Sequence, residues 1–298
     1  MSAVPSVVDP YDITVRSNGL RRRRTVEKVF GALAFLAALL ACGILAVVLG
    51  TLIYKGASQL NLDFFTKARP LFGQKGGVAD ALVGTALIVG MAMLMAIPFA
   101  VLVAIYMSEY AGPRVSRGLR IVLDVLNGVP AIVVGVFVFG LLVVGNGQSA
   151  IYGAFALAIL MLPMVARATQ EILGVVPQSL RHASLALGVT KWRTTWNIIL
   201  PAAIGGILTG VVISVARVAG ETAPLLFTSS IAANQVSFDV HGALPTLPVT
   251  IYVNSESPDP GEQASAWAAA LVLIAFVLVM NILAKAFAAR KRRQLEGS

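Results

Sequence analysis

The sequence predicts an all-α membrane protein of six transmembrane helices with both termini in the cytoplasm. Three observations predict it. Of 298 residues, 57% are hydrophobic and only 12% charged, with a mean hydropathy of +0.84; a soluble domain carries roughly a quarter charged residues. The apolar residues fall into six blocks, and one bilayer crossing needs roughly 20 such residues. The Lys and Arg residues concentrate at the two ends and between alternate blocks. A water-soluble globule and a disordered chain are both excluded, and little length remains for a soluble catalytic domain.

The elements follow in order. Residues 1–28 are a basic tail containing Arg21-Arg22-Arg23-Arg24. The block 29–54 exceeds the apolar core of about 7–15 residues found in a cleaved signal peptide. Leu39-Leu40-Ala41-Cys42 faintly resembles a lipoprotein cleavage box, but the block stays apolar beyond Cys42 and reads as a retained first helix. A mixed loop, 55–78, leads to a core over 79–288 with five further blocks: about 80–107, 119–144, 150–166, 198–220 and 264–287. The third contains Asn127-Gly128-Val129-Pro130. A polar stretch, about 167–197, separates the fourth from the fifth. A segment lacking Lys and Arg, about 225–262, precedes the sixth, at one end of which Trp267 sits as interfacial aromatics do. Residues 289–298 form a basic cytoplasmic tail.

The formal net charge of +9 is a topology label. With the N-terminus inside, the cytoplasmic segments hold 18 Lys and Arg and the outside loops hold four, all in 55–78. Basic loops without a stacking platform do not suit nucleic-acid binding. The single cysteine, Cys42, excludes an intrachain disulfide. With two His and one Cys, and no H-E-x-x-H, G-x-S-x-G or G-x-x-x-x-G-K-[ST], the sequence offers no metal site, cofactor or ATP-hydrolysing loop. No enzymatic activity is expected of it.

Between the fourth and fifth blocks, residues 178–187 read as a short helix that Gly188 ends. Its small residues, Ala183, Ser184 and Ala186, suit either a knob docking into a partner's groove or a helix lying on lipid headgroups. The stretch resembles the EAA loop of ABC importer permeases: E-A-A, three residues, Gly, nine residues, I-x-L-P. His182, Ala183 and Ser184 occupy the E-A-A positions, and Gly188, Ile198, Leu200 and Pro201 match in spacing. The resemblance implies the type I ABC importer permease fold and makes this loop a coupling helix that docks on an ATP-binding subunit. His182 in place of the acidic residue, and Ser184 in place of the second alanine, are departures from the family.

In the fifth block, Arg217 and Glu221 stand four apart and are expected on one helix face with Ser214, Gly210 and Gly206. Such a face turns toward protein or water rather than lipid, where an arginine costs roughly 3 kcal/mol. Two readings stand: a local Arg217–Glu221 ion pair that fixes packing, or an anion site. In the second, the Arg217 fork matches phosphate oxygens, Glu221 holds Arg217 when the site is empty and accepts a hydrogen bond from a protonated phosphate, and Thr222 adds a hydroxyl. Pro224 is expected to end or kink the helix.

The run Ala216-Arg217-Val218-Ala219-Gly220-Glu221-Thr222-Ala223-Pro224, with Leu247-Pro248-Val249-Thr250 downstream and Leu126-Asn127-Gly128-Val129-Pro130 upstream, resembles phosphate importer permeases of the PstA type. The resemblance covers about 80–290. It implies a homologous sister permease, two ATP-binding subunits on the 178–193 loop and an extracytoplasmic phosphate-binding protein, in the cell membrane of a prokaryote. It also implies that Arg167, with Glu171 four residues on, faces the phosphate path as Arg217 does, as one clamp or as successive stations; the other reading of Arg167 is a topology-setting arginine that snorkels. Another oxyanion, sulfate or molybdate, and a secondary transporter are the alternatives. Asp124 and Asn127 read as polar contacts between helices, His241 as a solvated loop residue, and Gly84, Gly90, Gly135 and Gly140 as helix contacts.

Overall fold

The computed structural model describes residues 18–68, 77–230 and 235–296, and among these every regular element is helical. Two units separate, 1–53 and 54–298. The first consists of most of α1 (Asn18–Gly56), which begins well before the expected start at residue 29. Arg, Lys, Glu and Val favour or tolerate a helix, and neither Pro nor Gly interrupts the stretch from Leu20 to Phe30.

The second unit contains α2 (Leu62–Thr66), α3 (Ala79–Ile105), α4 (Pro113–Gly128), α5 (Ala131–Val138), α6 (Ala150–Val175), α7 (Gln178–Ala186), α8 (Lys191–Thr194), α9 (Leu200–Val218), α10 (Ala223–Thr228), α11 (Leu247–Ser255) and α12 (Pro260–Glu296). Single wide turns extend α3 to Tyr110 and α5 to Val143, and another joins α8 to α9. Five helices among the described residues are long and apolar enough to cross a membrane; α4 and α5 supply a sixth if taken as one bent span.

That bend corrects the expected third helix. The chain turns by 91° between Gly128 and Ala131. Pro130 has no N–H to continue the ladder and holds Val129 extended, at φ −68° and ψ 126°. A second correction concerns 167–197: α6 runs on to Val175, so Arg167 lies within it rather than at its end. Polarity alone suggested a loop, but Arg167–Leu173 has good helix formers and a buried side through Thr169, Gln170 and Leu173. The third correction concerns 225–262, read in the sequence as a stretch without Lys and Arg before the sixth block. It contains α10 and α11, and residues Leu244–Thr250 are buried.

The core lies where α6 packs against both α3 and α9, which also touch each other. Ala92, Ala96, Ala100 and Ala104 recur every fourth residue on α3 and are essentially inaccessible. Four-residue spacing makes one ridge, and small side chains let the backbones approach closely. The segment before α11 crosses α3 at Gly84, where a Cβ would collide with the Pro245 carbonyl oxygen. One residue on, Thr85 Oγ1 accepts the Leu247 N–H at 2.8 Å. α10 crosses α5 at Gly135, where a Cβ would stand 2.7 Å from the Pro224 Cα. Gly90 and Gly140 face open space and make no such contact, contrary to expectation. His241 is exposed.

Candidate functional site: substrate path and coupling segment

α9 turns its small-residue face toward α6. A Cβ at Gly206 would press on Ile172, and one at Gly210 would stand 2.8 Å from the Ala168 Cβ. Ser214 is buried and its hydroxyl donates to the Gly210 carbonyl at 2.9 Å. This part of the predicted face does pack into protein. The last turn then tightens: the Gly220 N–H donates to the Arg217 carbonyl at 3.1 Å and the Glu221 N–H to the Val218 carbonyl at 3.0 Å. α9 ends at Val218, and Thr222 precedes α10, with Pro224 in the first turn of α10.

Glu221 is therefore not on the α9 face, which corrects the expected pairing. Among the described residues the ion pairs are Lys67–Asp63, Arg167–Asp124 and Arg181–Glu109; Arg217 and Glu221 form none. Ending the helix between the two residues removes the four-residue spacing on which the pair depended. Arg217 is exposed, Glu221 and Thr222 are half-buried, and the Thr222 hydroxyl makes no hydrogen bond among the described residues. The turn thus collects a cation, a carboxylate and a hydroxyl that are not committed to one another.

Arg167 is half-buried. Its Nε lies 3.1 Å from Asp124 Oδ1 in an ion pair, and its Nη1 donates to Gln170 Oε1 at 3.2 Å. The sequence placed Glu171 four residues away as neighbour; Glu171 is exposed instead, and the carboxylate comes from α4. Asp124 is the contact between helices that the sequence suggested, whereas Asn127 is exposed.

The antiparallel register of α6 and α9 fixes the relative height of the two arginines. Gly206 lies opposite Ile172 and Gly210 opposite Ala168, so position 217 falls opposite 161. Six residues separate 161 from 167, which is about 9 Å at 1.5 Å per residue. Arg167 is the one nearer the α7 end of the bundle.

The 178–193 segment is built on that end. α7 stops where Gly188 takes φ +77°, and the Gly188 and Val189 N–H groups close the turn on the Leu185 and Ser184 carbonyls. His182, Ala183, Leu185, Ala186 and Leu187 are exposed, Leu187 by 83%. Ser184 is not part of that surface: it is buried, and its hydroxyl shares a 2.8 Å hydrogen bond with Thr194 Oγ1. Behind α7, Lys191 Nζ lies 5.2 Å from the centre of the Tyr110 ring, and the Trp192 and Trp196 rings are 5.1 Å apart.

Sequence reasoning missed Arg181, Glu109 and Leu187. Arg181 Nη2 reaches Glu109 Oε1 at 2.7 Å, with both side chains largely buried. The pair lies 72 residues apart in sequence, so no local pattern signals it. Leu187 carried a signal: a large apolar residue immediately before the helix-ending glycine.

These elements, a bundle of apolar helices with a short exposed helix at one end, are those of a membrane transport permease. Residues 96–293 match the family model described as binding-protein-dependent transport system inner membrane component. The chain is 38% identical to the phosphate transport system permease protein PstA of Pasteurella multocida, over 91% of this chain and 97% of that one. It is 44% identical to PstA 1 of Mycobacterium tuberculosis strain H37Rv, over 74% and 73%. The chain belongs to the PstA family within the binding-protein-dependent permeases. Its fold is similar to that of a bacterial ABC transporter involved in alginate import (TM-score 0.63, 14% identity, 90% of this chain and 99% of that one). It is also similar to the MetNI methionine ABC transporter in inward-facing conformations (TM-score 0.56, 18% identity, 72% and 94%).

Proposed function

We propose that this chain is the membrane permease subunit of an ATP-driven phosphate importer in a prokaryotic cell membrane. It forms one half of the translocation path, and a homologous sister permease forms the other. Two ATP-binding subunits dock on the 178–193 segment through His182, Ala183 and the exposed Leu187. An extracytoplasmic phosphate-binding protein delivers the anion. Both termini are cytoplasmic, in keeping with the 18-to-four distribution of Lys and Arg. The PstA relatives support the substrate, and the ABC transporter neighbours support the ATP-driven class over a secondary transporter.

One observation carries the substrate reading. Arg217 stands at the end of a helix face that is otherwise packed, and none of the described carboxylates neutralises it. A guanidinium left unpaired presents two parallel donors to a tetrahedral oxyanion. Glu221 and Thr222 stand in the same turn, where a carboxylate accepts a hydrogen bond from the proton that HPO₄²⁻ or H₂PO₄⁻ carries and sulfate lacks. Closure of the ATP-binding subunits swings α7 and exposes the path outward; hydrolysis returns it to the cytoplasmic side.

The experiment is phosphate uptake by cells carrying Arg217→Ala, with assembly of the complex confirmed and sulfate present as competitor. Loss of uptake with normal assembly supports the reading. Undiminished uptake removes Arg217 from the mechanism, and competition by sulfate replaces phosphate with a wider oxyanion class.

A further inference from the structure

Arg167 and Arg217 carry the same group, but their settings differ. Arg217 is exposed and makes no ion pair among the described residues. Arg167 is ion-paired to Asp124, whose Oδ1 lies 3.1 Å from Nε, and its Nη1 donates to Gln170 Oε1 at 3.2 Å. Asp124 Oδ1 faces the Nε edge of the guanidinium, a place that an oxygen of a bound oxyanion could take instead. The pair also spans two elements, since Asp124 belongs to α4 and Arg167 to α6. α4 is set off from α5 by the 91° break. On α4 the buried Leu123 and the partly buried Leu119 join the core that includes α6, and Asp124 follows Leu123 directly.

We propose that Asp124 is the resident counter-ion of Arg167, displaced by phosphate during transport. This rests on the reading of Arg167 and Arg217 as the anion path. Phosphate engages the uncontested Arg217 first. It then moves about 9 Å along the bundle to Arg167, where it must replace a carboxylate. A half-exposed ion pair is weak, so a bidentate oxyanion can take over the fork. The exchange releases α4 from α6 at the moment Arg167 is occupied. When the anion leaves, Asp124 closes on Arg167 again. A carboxylate in this position prevents Arg167 from becoming a trap, because the departing anion is replaced rather than leaving a bare charge.

The test uses the complete importer in cells, with the amount of assembled complex measured for each variant. Asp124→Asn is chosen because Asp124 is half-exposed and the amide keeps its shape; Asp124→Ser is the second variant if the first does not assemble. With the counter-ion gone, phosphate holds longer on Arg167. The apparent KM and the maximal uptake rate should both fall, by up to about fivefold, the weight of one such exposed pair. ATP hydrolysis without phosphate should rise, because α4 is no longer tied. In an Arg167→Ala background, Asp124→Asn should add nothing. Wild-type kinetics in both Asp124 variants, with Arg167→Ala impaired, overturn the counter-ion role and leave the path reading standing. An Asp124 effect that persists without Arg167 overturns it as well. Normal uptake by Arg167→Ala removes Arg167 from the path, and the counter-ion proposal with it.

Discussion

Arg181 grips Glu109 by two nitrogens. Nη2 donates to Oε1 at 2.7 Å, and Nε lies 3.2 Å from Oε1 and 3.3 Å from Oε2. The same guanidinium donates from Nη1 to the Val176 carbonyl at 2.6 Å and from Nη2 to the Leu173 carbonyl at 2.8 Å. One side chain of α7 therefore holds the end of α6 and the wide turn that ends α3. Movement of α7 reaches both helices through it.

Because both side chains are largely buried, breaking the pair on one side leaves an uncompensated charge, at about 3–5 kcal/mol. Glu109→Gln and Arg181→Met are each expected to lower the amount of assembled importer sharply. The double variant Glu109→Gln/Arg181→Met should recover part of that loss, since both charges are then gone. Arg181→Lys keeps the charge but cannot serve four acceptors from one plane. It should assemble and transport poorly per ATP hydrolysed. Equal assembly of single and double variants, measured in detergent-solubilised membranes, would show the two residues to be uncoupled.

On α7 the exposed and buried positions predict opposite tolerance. Leu187→Asp places a charge on the most exposed apolar side chain of the segment and should abolish co-purification of the ATP-binding subunit while the permease pair survives. Ser184→Ala removes one hydrogen bond, worth about 1 kcal/mol, and Thr194 keeps its bond to the Thr190 carbonyl. Uptake by Ser184→Ala should stay within about twofold of wild type. Loss of subunit co-purification in Ser184→Ala, but not in Leu187→Asp, would reverse the assignment of the two faces.

The short-range features were legible in the sequence. Gly188 ends α7 because a left-handed residue is needed there, and the apolar blocks mark the helices because hydropathy is a local property. Other features depended on how the chain doubles back. The partner of Arg167 comes from α4, that of Arg181 from the end of α3, and the burial of Leu244–Thr250 from its crossing of α3 at Gly84. Low charge in 225–262 is equally compatible with a loop and with buried backbone, so composition could not separate them. The Arg217–Glu221 spacing misled because it presumes a continuous helix, and the tightened turn at Gly220 ends it three residues early.

Gly84 and Gly90 lie on the same helix and should respond differently. Alanine at Gly84 collides with the Pro245 carbonyl oxygen, a backbone atom held by the adjoining Thr85–Leu247 hydrogen bond. Gly84→Ala should displace the approach to α11 and reduce assembly. Gly90 has nothing near its missing side chain, and Gly90→Ala should be neutral or slightly stabilising, by the roughly 1 kcal/mol that separates the two residues in a helix. Thermal stability of the purified permease pair separates the cases; equal melting of both variants would remove the crossing as their cause.

The contact between Gly210 and Ala168 sets the height of one arginine against the other, and it can be tested by suppression. A methyl at Gly210 would stand 2.8 Å from the Ala168 Cβ, well inside van der Waals contact. Helix axes packed through small residues cannot absorb this without separating or sliding. Gly210→Ala is therefore expected to reduce phosphate uptake more than assembly, because Arg217 and Arg167 lose their register before the bundle loses its core. Removing the opposing methyl restores the space. Gly210→Ala/Ala168→Gly should regain most of the lost uptake, since it exchanges one helix glycine for another with little net change in helix propensity. Ala168→Gly alone should transport normally. If the double variant is no better than Gly210→Ala, the two helices do not meet at this point, and the 9 Å offset between the arginines (about six residues at 1.5 Å each) fails with it.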